Sequence, residues 1–351
     1  MPILVERDID FLAAKLHGWR SRLAEDERLD ELSRIRTVAE LARRIAPEGS
    51  FRDAAPLQRH LIEAHVRELG GLAIAVGGPA GALLNWQRTR FQAENLKVLA
   101  RGAARRMPLD SLTPRLIALP EDLPLDLAPY ADRPDDETLA AWLRRFLPPG
   151  SSLRKALEQD DEAFREATEP FLAEAALDRA YLLLLLRHAR AVRGEDGDGV
   201  RRLVRHEIAI FNTMLAMRGR HHYQLPPELL GAAFVPGGSL ERATFDKAIA
   251  CEEQAAAFRL LAAPLDPQGA AVAQPEASVL ETMAWNRYLR LANALFRQSR
   301  MSIGVAVGFA AIRRIELANL ITLCEGMRMG MEPFRLRQRL IPRSILEDAH
   351  V

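Results

Sequence analysis

From Ile9 to Leu23 the chain reads IDFLAAKLHGWRSRL, with Phe11, Leu12, Leu16, Trp19 and Leu23 recurring at three- and four-residue steps. That spacing gathers them on one side of an α-helix. The same period runs through roughly residues 83–105, 161–192, 200–219, 274–300 and 309–328. The strict alternation of a half-buried strand is nearly absent. Pro and Gly cluster at 77–81, 118–134, 147–150, 224–238 and 264–269, and such clusters mark connections. Ala, Leu, Arg and Glu are abundant and favour helix. The pattern predicts an all-α fold.

The pattern also repeats. TVAELARRIAPEGS (Thr37–Ser50) and TLAAWLRRFLPPGSS (Thr138–Ser152) share Thr, Ala, an Arg pair, Pro, Gly and Ser at an offset of 101, and a weaker third copy starts at Thr244 (TFDKAIACEE). Downstream, AENLKVLARG, IFNTMLAMRG and LANLITLCEG each hold Asn and then Gly seven residues on: Asn95 and Gly102, Asn212 and Gly219, Asn319 and Gly326. A proline follows each Asn, Pro120, Pro236 and Pro342, at distances of 25, 24 and 23 residues. These repeats predict three similar helical units, 1–128, 129–240 and 241–351.

Seven residues turn through about 700° of helix, so Asn and Gly of each pair share a face. Asn is a poor residue inside a helix, because its amide competes for backbone. Its recurrence predicts a buried amide bonded to a neighbouring segment, since an unpaired one is costly. The glycine permits close contact or ends the helix. A structural role is favoured over ligand binding at all six positions.

Charge changes the picture little. With 48 basic and 47 acidic residues, no large single-sign field exists, which argues against nucleic acid as a partner. Length allows two or three domains. Cys251 and Cys324 are the only cysteines; they form no CxxC pair and fit a reducing cytoplasm. The start, MPILVERDID, does not read as a signal peptide. The charge-free stretch GGLAIAVGGPAGALL (Gly70–Leu84) is broken by Gly77-Gly78-Pro79, which excludes a membrane span. Nor does a Lys with Ser or Thr follow its glycines, as a phosphate loop requires. It reads as a close-packed helix junction, and VAVGF (Val305–Phe309), likewise ahead of a motif helix, reads the same way.

Candidate chemistry fails on spacing. His206-Glu207 opens like a zinc-protease helix, but position 210 is Ile. His60 and His65 lie about 140° apart on a helix, too far round to share a metal easily. His221-His222 reads as a solvated or packed pair. Asp160-Asp161 begins the DDxxD of an all-α prenyl-diphosphate enzyme, but Phe164 stands where the third Asp belongs. Arg43-Arg44 and Arg144-Arg145 read as solvated helix faces. No catalytic, metal or cofactor site is expected.

Three all-α units, each with an Asn–Gly helix and an LIP-type turn, resemble the C subunit of the V/A-type ATP synthase, whose eukaryotic counterpart is the d subunit of the V-ATPase. The closest stretch is VGFAAIRRIELANLITLCEGMRMGMEPFRLRQRLIP (Val307–Pro342), with Glu316, Asn319, Leu320, a turn at Gly330 and a last helix over 332–340. LDRAYLLLL resembles the family's Asp-x-x-Tyr helix through Asp178 and Tyr181, and FLAAKLHGWRSRL its opening helix. The resemblance implies a non-catalytic rotor part: a funnel of three helical domains with pseudo-threefold symmetry. It would rest on the proteolipid ring at the cytoplasmic face of the membrane, without inserting, and receive the central stalk made of the D and F subunits. Arg101 and Arg218, each just ahead of a motif glycine, become candidate polar interface residues; a solvated charge or an internal helix-end partner is the competing and favoured reading. A helical-repeat adaptor is the alternative function.

Overall fold

The computed structural model describes residues 9–132, 137–159, 170–265 and 276–342. Sixteen α-helices and no strand occur among the described residues. The fold is all-α.

The repeated threonines start helices. Thr37 ahead of α3 (Val38–Ile45) accepts from the Glu40 N–H at 3.3 Å, and Thr138 ahead of α7 (Leu139–Arg144) from the Ala141 N–H at 3.3 Å. Such bonds satisfy donors that a helix start leaves free. The third copy departs from expectation. α12 (Arg242–Ala250) follows an extended Glu241, so Thr244 lies inside the first turn. The helix start, not the threonine, holds the equivalent position.

The chain divides into two compact units. One comprises Met1–Leu84, Val192–Val200 and Trp285–Val351; the other comprises Asn85–Ala191 and Arg201–Ala284.

In the first unit α15 (Ile303–Arg328) is the central helix. Most of its first fifteen residues are buried, as are Leu320, Leu323 and Cys324 further on. Against it pack α4 (Ala54–Val76), α3 and α1 (Ile9–Arg20), while α2 (Asp26–Ser33) packs on α16 (Pro333–Arg337). On α15 Phe309 lies 6.3 Å from Trp19 of α1, while His17 of α1 meets Phe296, ahead of α15, at 4.6 Å. The Ala24 N–H donates to the buried Glu316 carboxylate at 2.6 Å, which also takes the Arg313 guanidinium at 2.6 Å.

The Gly70–Leu84 stretch is a helix corner. α4 stops at Val76, Gly77 (φ 59°) and Gly78 (φ 54°) take left-handed backbone, and α5 (Gly78–Ala104) begins. A Cβ on Gly81 would stand 2.5 Å from the Ala73 carbonyl oxygen, so the chain turns back with no room for a side chain. VAVGF differs in place. It lies inside α15, and Gly308 admits the Phe296 backbone of α14 (Ala277–Gln298), whose nitrogen would stand 2.7 Å from an added Cβ.

In the second unit α9 (Pro170–Ala191) receives α7, α8 (Ser152–Gln159) and α11 (Pro227–Ala233); α11 packs on α12, and α12 on α13 (Gln254–Leu265). Trp142 is fully buried, stacked edge-on to Phe146 at 4.7 Å, and its indole donates to the Pro129 carbonyl at 2.9 Å. α10 (Gly197–Met217) carries the second Asn–Gly motif.

Candidate functional site

Each motif asparagine clasps one backbone residue beyond the turn that follows its helix. The Asn95 side chain donates to the Ile117 carbonyl at 2.8 Å and accepts from the Ile117 N–H at 2.8 Å. Asn212 does the same with Val235, at 2.8 and 2.9 Å. Asn319 does it with Ile341, at 2.6 and 2.9 Å. An amide offers one donor end and one acceptor end, so it matches both groups of a peptide residue at once. Asn212 is wholly buried and the other two are 3% exposed. The Asn212 bonds are fully buried, and those of Asn95 and Asn319 part-buried.

The prolines misalign the first clasp. Val235 and Ile341 stand directly before Pro236 and Pro342, but Ile117 is followed by Ala118, with Pro120 three residues on. The clasped residue is the equivalent point, and the asparagine finds it 22, 23 and 22 residues away.

The glycines make room for a leucine from the short helix after each turn. A Cβ on Gly102 would meet a Leu112 methyl at 2.2 Å, on Gly219 a Leu230 methyl at 2.3 Å, and on Gly326 a Leu336 methyl at 2.4 Å. Each glycine carbonyl also accepts the N–H of the turn's end: Met107 at 2.9 Å, Leu225 at 2.9 Å and Met331 at 2.8 Å. The residue just before that donor is left-handed every time, namely Arg106 (φ 52°), Gln224 (φ 55°) and Gly330 (φ 65°). Helices commonly end through such a residue, usually glycine.

The residue ahead of each motif glycine reaches another helix. Arg101 donates to both oxygens of Glu174 on α9, at 3.1 and 3.0 Å. Arg218 meets Glu281 on α14 at 2.5 Å. At the third position Glu325 accepts from Gln58 on α4 at 2.7 Å. The first two links lie within the second unit and the third within the first unit. Arg101 and Arg218 therefore hold internal partners.

Charges line the first of these contacts. Arg90, Glu94, Lys97 and Arg101 follow one another along one face of α5. Lys97 binds Asp178 at 2.6 Å and Glu94 at 3.0 Å, and Arg90 binds Glu207 at 3.0 Å. Burial pushes the Glu207 carboxyl up to about 6, with Arg90 pulling the other way. Burial likewise raises Asp178 against the pull of Lys97. Burial also works against the charge on Glu94, but Lys97 and Arg90 outweigh it and hold that carboxyl below its usual range. Removing one partner of such a buried set leaves an uncompensated charge.

The remaining candidates separate. His206 bonds the Ala284 carbonyl at 2.8 Å, His60 pairs with Glu48 at 2.8 Å, and His65 is buried. Arg43 and Arg44 are exposed, while Arg145 pairs with Glu137 and Asp132. His221 and His222 lie on a π-turn over Arg218–His222. Asp160, Asp161 and Phe164 lie outside the described residues. Among the described residues no three His, Cys, Asp or Glu side chains gather as a metal site, and no helix is long and apolar enough to cross a membrane.

No curated protein matches the chain. The family described as ATP synthase (C/AC39) subunit matches residues 12–339, a span that contains the three asparagines and glycines and the leucines they face. By this match over nearly its whole length, and with an all-α fold to carry it, the chain belongs to the ATP synthase (C/AC39) subunit family, the C subunits of V/A-type rotary ATPases.

Proposed function

We propose that the protein is a non-catalytic part of the rotor: a socket of three helical units that seats the central stalk of D and F subunits and rests on the membrane proteolipid ring. It would sit at the cytoplasmic face and pass torque between the two during ion transport. The family match over residues 12–339 carries this reading. Within the first unit an early and a late helix are tied together, the third motif helix bonding α4 through Gln58–Glu325 and Arg313–Glu68, the latter at 3.1 Å. The three clasps add stiffness, because each fixes a helix end to a turn by two bonds to a single residue. Torque transfer needs such stiffness, and close-packed interiors deform little.

Tagged protein isolated from membranes with mild detergent tests the reading. The expected result is recovery of the proteolipid and of both stalk proteins in constant ratio. Recovery of soluble proteins without them would establish the adaptor function instead.

A further inference from the structure

Five charged groups of the second unit meet where α5, α9 and α10 join. α5 brings Arg90, Glu94 and Lys97, α9 brings Asp178, and α10 brings Glu207. Two are cations and three are carboxylates. The next pair outward, Arg101 with Glu174, is balanced and leaves that excess of one acid in place. Tyr181 hydrogen-bonds to Arg90, and burial keeps its phenol neutral. His206, beside Glu207 in the chain, is engaged with the Ala284 carbonyl.

The imbalance falls hardest on Glu207. Its side chain is 5% exposed, whereas Glu94 and Asp178 keep about a third of theirs in water. Lys97 stands between Asp178 and Glu94, at 2.6 and 3.0 Å. Arg90, which pairs with Glu207 at 3.0 Å, is shared as well, since the charges of Glu94 and Asp178 also act on it. A buried negative charge without a full counter-charge is costly. Acids gathered at one site cannot all ionise freely, and one of them keeps its proton.

We propose that this cluster is a proton-binding site: in mild acid one proton settles on the Glu207 carboxyl, which goes on accepting from Arg90, and the joint of α5, α9 and α10 tightens. Burial, helped by the Asp178 charge and opposed by Arg90, pushes that carboxyl from 4.5 up to about 6. Between those values the folded chain holds a proton that the unfolded chain releases. The stability this group contributes therefore rises as pH falls from about 7 toward the unfolded value and is level below it.

Carboxyl ¹³C signals of the full chain, labelled at glutamate and followed from pH 8 to pH 4, test the site. Glu207 is the signal missing from Glu207→Gln. It should titrate with a midpoint of about 6. Asp178→Asn removes a neighbouring negative charge and should lower that midpoint by about half a unit or more, while Glu174→Gln, in the balanced outer pair, should leave it in place. In urea unfolding between pH 7.5 and pH 5, the folded-to-unfolded ratio should rise about eightfold more for the unaltered chain than for Glu207→Gln. An ordinary midpoint for Glu207, a midpoint indifferent to Asp178→Asn, or the same pH dependence with and without Glu207 overturns the proposal. If a variant fails to fold, the unaltered chain still decides: a glutamate signal with a midpoint between about 5.5 and 6.5 supports the site, and the absence of one overturns it. Neither result bears on the membrane co-purification, so the two readings fail separately.

Discussion

The first and second clasps make the same pair of hydrogen bonds by different routes. Asn95 reaches Ile117 over 22 residues, through an ordinary helix end. Asn212 reaches Val235 over 23, through a π-turn. Their short helices share only the inward leucine, Leu112 or Leu230. The fold keeps the two ends of the connection in place and lets its length vary. The first clasp retains slight exposure and the second has none, so they should differ in strength.

Asn212→Ala sharpens that contrast most. It strands a buried N–H and a buried carbonyl on Val235, at about 1–3 kcal/mol for each unmet group. We expect a loss of about 3 kcal/mol in urea unfolding, against about 2 kcal/mol for Asn95→Ala, where water can reach the gap. Equal losses would remove burial as the difference between the clasps.

Glycines differ in the same manner. Gly308→Ala drives a methyl into the Phe296 backbone, which has nowhere to go, and should cost about 3 kcal/mol. Gly219→Ala presses on the end of the Leu230 side chain, which can rotate away, and should cost about 1 kcal/mol. Thermal melts of the pair would expose a reversed order.

The third link should respond to acid through His65. Burial first, and then Arg313, lower its pKa from 6.5 to about 3. Between those values the unfolded chain binds the extra proton. Stability therefore falls as pH drops from 6.5 toward 3 and is level with respect to this group above 6.5. His65→Leu should flatten the dependence by up to about 1.4 kcal/mol per pH unit, measured by urea unfolding from pH 7 to pH 4.5.

The smallest effects belong to the turns. Arg106 and Gln224 occupy a left-handed position that Gly330 fills without strain. Arg106→Gly and Gln224→Gly should each raise stability by up to about 1 kcal/mol, while Gly330→Ala should lower it by about as much. A loss in either glycine variant would show that the arginine or glutamine side chain makes a compensating contact.

The helices, the Asn–Gly spacing and the packed glycine corner were legible in the sequence, because periodicity and residue type encode them. The partners of the asparagines were not. A backbone N–H and carbonyl carry no residue code, and Pro120 drew the alignment three residues past Ile117. The left-handed turn positions were hidden in two cases by Arg106 and Gln224, residues that do not announce such a conformation. Glu174, Glu281 and Gln58 lie 73, 63 and 267 residues from their partners, and no local pattern points across such distances.

The bonds that tie α1 and α2 to the far end of the chain bear on how the protein is made. Both helices leave the ribosome long before α15, yet Ala24 waits for Glu316, Asp30 for Arg337 and Arg36 for Glu332. The side of α1 that packs on α15 in the finished protein therefore stays uncovered until α15 has been synthesised. Such long-range pairing is slow and exposes the nascent polypeptide to aggregation. A product truncated before residue 303 would present that surface permanently, a ready target for chaperones and proteases.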